Sequence, residues 1–283
     1  MTASIQTAMS RSALAAEPPA SNPHGWQATS QGLMLDLDGT LIRGSEIVPG
    51  AQTLLRQWKS RYVIVSNNST DTPQTLARRL QAMDLPVEPQ EIILAGVLAV
   101  DHIVSRYLGM RVLMCASAAL LDYAAGCGVR LVDHDAQVVL LARDIGFGYK
   151  TLSRISEELH RGAKLVVSNG DLTHPGPGGV PVPETGALLR AVLACNTHAL
   201  PQIIGKPESQ LYLHGLRQLS LAPHQVTMIG DNLATDALGA CRLGMPYLLV
   251  GSAPDADACD IAHLLERDCA VRRTLPHDVQ ERD

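Results

Sequence analysis

The chain has 283 residues, 46% of them hydrophobic and 18% charged, and its 23 Lys+Arg against 28 Asp+Glu leave a formal net charge of −5. That hydrophobic share excludes a wholly disordered chain, and the length accommodates one large domain or two of the usual ~100–200 residues. One Phe, two Trp and six Tyr are too few stacking platforms for single-stranded nucleic acid, and the acidic balance supplies no polyanion-binding surface.

The first 31 residues are rich in Ala, Ser, Pro and Gln, with no basic start leading into an apolar stretch, so they read as a flexible tail rather than a signal peptide. Residues 32–37 read as a strand, 51–60 as a helix, 62–65 as a second strand and 73–83 as a helix. Further strands are expected at 111–115, 138–142 and 164–167, with helical stretches between them. Seven Gly or Pro residues make 174–183 a mobile, exposed loop before a helix at 185–193. Late in the chain the alternation returns: strand 202–204, helix 208–219, strand 225–229, helix 234–243 and strand 247–250. Residues 266–283, mostly charged and polar, read as a second loose tail. Strands alternating with helices imply an α/β fold built on a parallel sheet covered on both faces. No apolar run reaches the roughly 18 residues of a membrane span. The six cysteines are scattered without a C-x-x-C pair, which fits a reduced, cytoplasmic protein.

Four strand ends carry polar clusters. In Leu33–Thr40 (LMLDLDGT) apolar residues run into Asp36 and Asp38, which at a spacing of two point the same way at the carboxyl end of the first strand. Two like charges so close call for a hard divalent cation; a solvated D-G turn explains the same residues when they are taken alone. In Val63–Ser69 (VIVSNNS), Ser66 is a phosphate donor, with Asn67 and the following N–H groups opening a helix N-terminus; an Asx turn or N-cap is the plain alternative. In Ile203–Pro207 (IIGKP), Lys206 presents an ammonium at a sheet edge, with Pro207 fitting the first helical turn. In Val226–Asp236 (VTMIGDNLATD), Asp231 ends a strand and can share a metal with Asp36, while Asp236 is placed to orient Lys206 or a metal-bound water. Together these make a phosphoryl-transfer set. There is no H-E-x-x-H, G-x-S-x-G, G-x-G-x-x-G or zinc-type cysteine pair.

In these four motifs, in this order, the chain resembles the haloacid dehalogenase (HAD) superfamily over about residues 32–252. The S-N-N-S, G-K-P and G-D-N-x-x-T-D details are similar to the class IIA branch of nucleotide, 4-nitrophenyl phosphate, phosphoglycolate and pyridoxal phosphate phosphatases. The resemblance implies a three-layer Rossmann-like core at 32–108 and 199–265. Lys206 lies 140 positions after Ser66, far more than one crossover needs, so a second domain is expected between them; the resemblance implies that it is a C2-type α/β cap, at 109–198. It further implies that Asp36 attacks phosphorus to form an aspartyl-phosphate, and that Asp38 is the acid and then the base. Ser66 and Lys206 stabilise the phosphoryl group. Mg2+ is held by Asp36, the Asp38 main-chain carbonyl and Asp231. Asn169 and Asp171 are weaker substrate candidates in the cap. The expected activity is hydrolysis of a small phosphorylated metabolite, without nucleic-acid or membrane partners and with a homodimer through the cap as in relatives. A phosphotransferase or mutase and a non-catalytic phosphate sensor are the alternatives.

Overall fold

The computed structural model describes residues 25–175, 180–267 and 271–275. The first part of the chain forms helix α1 (Trp26–Thr29), strands β1 (Gly32–Leu35), β2 (Ile42–Arg43) and β3 (Glu46–Ile47), and helix α2 (Ala51–Gln57). These lead into β4 (Tyr62–Ser66), α3 (Pro73–Gln81), β5 (Ile92–Leu94) and α4 (Ala95–Arg106). The middle contains β6 (Arg111–Cys115), α5 (Ala118–Gly126), β7 (Arg130–Leu131), β8 (Val138–Leu141), α6 (Tyr149–His160) and β9 (Lys164–Val167). It continues through β10 (Thr173–Pro175), β11 (Pro181–Pro183), α7 (Thr185–Cys195) and β12 (Pro201–Ile203). The last part is α8 (Ser209–Leu219), β13 (Val226–Gly230), α9 (Leu238–Arg242), β14 (Tyr247–Leu249) and α10 (Ile261–Glu266).

β1, β4 and β13 are buried at every residue, which is why they read as continuous apolar runs rather than alternating ones. They lie in a parallel five-stranded sheet of order β14-β13-β1-β4-β5, with Leu35 of β1 registered between Ile229 of β13 and Ile64 of β4. Alternation sends neighbouring side chains to opposite faces. Leu33 and Leu35 meet Leu54 of α2, Leu76 of α3 and Ile261 of α10, whereas Met34 meets Val100 of α4, Tyr212 of α8 and Ala240 of α9. The result is three layers, and each fully buried leucine in them contributes about 1.5–3 kcal/mol of transfer free energy. The chain leaves β1 towards β4 and β5, then returns on its other side through β13 and β14. The carboxyl end of β1 is therefore the switch point at which open α/β sheets form a crevice.

A second parallel sheet has the order β12-β9-β8-β6-β7. One face packs on α6 and α7 through Val139, Val167, Ile155, Leu189 and Val192. The other face, through Val112, Val138, Leu140 and Val166, joins the cluster that includes α4 of the first unit. β12 pairs in parallel with β9, so the second sheet extends through Ile203, beyond the boundary at 198 expected from spacing.

Three segments differ from expectation. Residues 25–31, placed in a flexible tail, instead contain α1. Trp26 is fully buried, stacks on Trp58 with ring centroids 5.9 Å apart, and donates Nε1–H to the Leu264 carbonyl at 3.2 Å. One apolar ring with a polar handle is enough to anchor such a segment. In the expected C-terminal tail, Arg272 forms an antiparallel bridge to Tyr247 and its guanidinium lies 2.8 Å from Asp257. Residues 1–24, 268–270 and 276–283 of the two tails lie outside the described residues. Finally, 174–183 is not a plain loop: β10 and β11 pair antiparallel, with His174 opposite Val182, and 176–179 lie outside the described residues. Pro175, Pro181 and Pro183 fall at alternate positions, the sites of an antiparallel pair that exchange no N–H bonds, so the ladder tolerates them.

Candidate active site

Asp36 leaves β1 with its backbone still tied to the sheet, its N–H donating to Ile229 O at 2.9 Å. Its carboxylate is buried. Oδ2 accepts from Thr40 Oγ1 at 3.2 Å, and Oδ1 lies 2.5 Å from Lys206 Nζ. The turn after Asp38 needs glycine: Gly39 has φ +92°, and a Cβ there would overlap the Asp231 carboxylate. The close approach that glycine permits brings the ends of β1 and β13 together. Asp38 keeps an exposed surface, yet burial by the surrounding protein and then the Asp36 charge push its carboxyl up to about 6.

Lys206 is 3% exposed and its ammonium is shared between Asp36 Oδ1 and Asp236 Oδ1, the latter at 2.7 Å. Those two carboxylates overcome the burial that opposes its charge and hold its pKa well above the ordinary lysine value. It arrives from β12 of the second sheet, not from a strand of the first as its sequence context suggests, and Pro207 lies in the turn before α8 rather than within its first turn. Asp236 sits on a π-helical turn, Leu233–Ala237. Its Oδ2 accepts from Asn232 N at 3.1 Å, and the turn itself is held by Tyr212, whose hydroxyl donates to Thr235 O at 2.8 Å.

Asp36, Asp231 and Asp236 offer carboxylate oxygens all within 4.8 Å of one another. Asp231 is the one open to solvent. Burial first, then the Asp36 and Asp236 charges, push its carboxyl up to about 8, and Lys206 only partly opposes them. Three carboxylates facing one ammonium leave excess negative charge and oxygen-only donors, the chemistry that a hard divalent cation matches.

Ser66 ends β4 and is 2% exposed; its Oγ accepts from Asn68 N at 3.1 Å, which leaves its O–H free to donate. Asn68 does what an Asx turn does: Oδ1 accepts from Thr70 N and Asp71 N, both at 2.9 Å. Asn67, a phosphate-binding candidate from its position, has its side chain committed elsewhere. Oδ1 accepts from Lys206 N at 2.7 Å, while Nδ2 donates to Lys206 O at 3.1 Å and to Asp171 Oδ2 at 3.0 Å. Asn169 is fully buried, with Nδ2 donating to Asn67 O at 2.8 Å and Oδ1 accepting from Asp171 N at 3.1 Å. The expectation that Asn169 faces a substrate is therefore corrected: its amide is a joint between the two sheets, because a buried amide must be satisfied by protein. Asp171 is half-buried and near enough to sense Lys206 and Asp36; burial, the larger cause, raises its pKa against the Asn67 hydrogen bond.

Two features were not read from the sequence. Tyr212 looks like any apolar position of an amphipathic helix, and no spacing marks its hydroxyl. The second is an ionic cluster beside the hairpin: Glu184 Oε1 lies 2.7 Å from His174 Nδ1 and 3.3 Å from Arg143 Nε. Arg143 N also donates to Ser69 Oγ at 3.1 Å, and His174 lies within electrostatic range of Asp38.

Residues 33–130 match a family model described as haloacid dehalogenase-like hydrolase, and residues 203–264 match a second, HAD-hydrolase-like model. The chain is 29% identical to the 5'-nucleotidase YutF of Bacillus subtilis, over 78% of this chain and 87% of that protein. It is 28% identical to an acid sugar phosphatase of Staphylococcus aureus, over 77% and 85% respectively. A solved glycerol phosphate phosphatase of Mycobacterium tuberculosis, in complex with magnesium, superposes with a TM-score of 0.72 at 26% identity, covering 78% of this chain and 68% of that one.

Proposed function

The chain belongs to the haloacid dehalogenase-like hydrolases, and from that premise we propose that it is a Mg2+-dependent phosphatase acting on a small phosphorylated metabolite through an aspartyl-phosphate. The relatives' printed activities, on nucleotides, sugar phosphates and glycerol phosphate, support phosphate-ester hydrolysis as the reaction class. The observation that carries the reading is the buried ammonium of Lys206 held between Asp36 and Asp236, beside the open carboxylate of Asp231, at the switch point of the first sheet.

In this reading Asp36 is the nucleophile. Its carboxyl oxygens are aimed by Lys206 on Oδ1 and by the Thr40 hydroxyl on Oδ2, the geometry a nucleophile at phosphorus needs. Asp38, with its carboxyl pushed up to about 6, carries a proton to the leaving oxygen and takes one back from the attacking water. Ser66 donates its free O–H, and Lys206 its remaining N–H, to the oxygens of the transferring group. Asp36, Asp231 and the main-chain carbonyl of Asp38 would hold the metal, which, when bound, neutralises the carboxylates and the charge on the phosphoryl oxygens. Asp236 keeps Lys206 in place, and Asn67 fixes the backbone from which that lysine extends.

The test is phosphate release from a panel of sugar, nucleotide and other small phosphate esters, with Mg2+ or with chelator. Wild-type protein is expected to turn over some of them only with metal, and Asp36→Asn to lose several orders of magnitude in kcat. A wild type inactive across the panel, or an Asp36→Asn variant of undiminished rate, overturns the proposal.

A further inference from the structure

Away from the carboxylate cluster, a second group of metal-ligating side chains stands at the start of α10: Cys259, Asp260 and His263, with ligand atoms all within 4.8 Å of one another. Its donors are of a different kind, one sulfur, one imidazole nitrogen and one carboxylate. Cys259 Sγ and His263 Nδ1 are 3.3 Å apart, one helical turn from each other. A tetrahedral zinc with Zn–S of about 2.3 Å and Zn–N of about 2.0–2.1 Å separates its sulfur and nitrogen ligands by about 3.5 Å, so a shift of a few tenths of an ångström would admit the ion.

The backbone presenting these groups is fixed. Ala258 is buried and bridges Val250, with Gly251 N donating to Ala258 O at 2.9 Å, so Cys259 follows directly from a pinned residue. Ile261 and Leu264 are fully buried and hold the inner face of α10, which turns Cys259 and His263 outward, where both are exposed. Asp260 Oδ1 accepts from His263 N at 2.8 Å; that bond sets the side-chain rotamer and leaves the other oxygen to bind.

We propose that Cys259, Asp260 and His263 form a binding site for a borderline-soft divalent ion, Zn2+, separate from the Mg2+ site. Thiolate and imidazole select Zn2+ over Mg2+, which prefers oxygen donors and keeps its water. On binding, the Cys259 S–H bond breaks, its proton passes to solvent, and an S–Zn bond forms; neutral His263 Nδ1 and one Asp260 oxygen donate lone pairs, water takes the fourth position, and no electron is transferred. The ion ties the first turn of α10 to the segment returning from β14, which adjoins Asp231 through Gly251.

The experiment titrates the reduced, metal-stripped full chain with Co2+, a coloured stand-in for Zn2+, in the presence of excess Mg2+ that fills the carboxylate site. A near-ultraviolet thiolate-to-cobalt band that Zn2+ abolishes is expected. Cys259→Ser should lose that band while keeping its circular dichroism spectrum and Mg2+-dependent turnover. His263→Ala should weaken Co2+ binding by more than the roughly 10–100-fold that loss of an outer partner costs. Absence of the band in the wild type, or its persistence in Cys259→Ser, overturns the proposal. So does a Co2+ affinity unchanged in His263→Ala.

Discussion

At the scale of single residues, the site depends on groups that hold other groups. The Tyr212 hydroxyl fixes the turn that carries Asp236, and Asp236 fixes Lys206. Tyr212→Phe keeps the ring, whose fit requires Gly239 beside it, and removes only the O–H. The Thr235 carbonyl keeps its bond from Leu238 N–H, so losing the hydroxyl bond costs about 0.5–1.5 kcal/mol, read as a lower urea midpoint. Because the ammonium is then less well aimed, kcat should fall roughly tenfold, equivalent to about 1.4 kcal/mol in the barrier, with KM little changed. A variant destabilised to this extent but with an unaltered kcat would show that the turn needs no such support. Asp36, Asp38, Ser66 and Asp231 were legible as candidates because each closely follows an apolar strand, so strand geometry delivers its side chain to a predictable end; Asp236 and Lys206 were legible from their spacing to these motifs. Tyr212 and Asn169 were not legible. A tyrosine or an asparagine looks the same in a sequence whether it faces solvent, substrate or the underside of a turn, and only the fold distinguishes them.

At the scale of elements, the β10–β11 hairpin brings His174 into contact with Glu184 and within electrostatic reach of Asp38. If Asp38 transfers the proton and Asp36 attacks as proposed, an element near Asp38 should govern which leaving group fits more than how fast phosphorus reacts. Replacing the hairpin tip with a short Gly-Ser turn should reorder kcat/KM across the ester panel by about ten-fold or more, while kcat for a small aryl phosphate stays within about two-fold. Unchanged relative rates would remove the hairpin from any role in selection. This segment was misread because Gly and Pro density normally marks irregular chain, and alternate-position prolines evade that rule only when a partner strand lies opposite. β12 shows a related limit. Three residues, Pro-Gln-Ile, identify a strand weakly and say nothing about which sheet it joins; its neighbour β9 lies 36 positions earlier, across a hairpin and a helix.

At the scale of the molecule, the shared core between the two sheets includes α4 and α8, and each carries a half-buried histidine. His102 and His214 are held below the ordinary imidazole value, burial being the largest cause for both; the Gln202 hydrogen bond opposes it at His102 and Asp101 at His214. A depressed folded-state value means that the unfolded chain takes up the proton first. This contribution to stability is fully present above about pH 6.5 and is lost as pH falls through the folded-state values. The raised carboxyls of Asp38 and Asp231 act in the opposite sense, so the informative comparison is between proteins rather than between pH values alone. With saturating Mg2+, the fall in Tm between about pH 7.5 and about pH 5.5 should be shallower in a His102→Gln, His214→Gln double variant than in the wild type. Parallel declines would assign the acid sensitivity elsewhere.

The position of β1 has a consequence for how the protein is made. Its two neighbours come from opposite ends of the chain, β4 soon after it and β13 not until Val226. A ribosome that has released residues up to 203 has delivered all five strands of the second sheet but only three of the first. During that interval β1 has one edge bare and no lid of α8 on Met34, the kind of exposed, highly apolar edge that recruits other chains. Nascent or truncated forms ending before β13 should therefore be the species that chaperones must shelter, and the last quarter of the sequence is what ends their dependence.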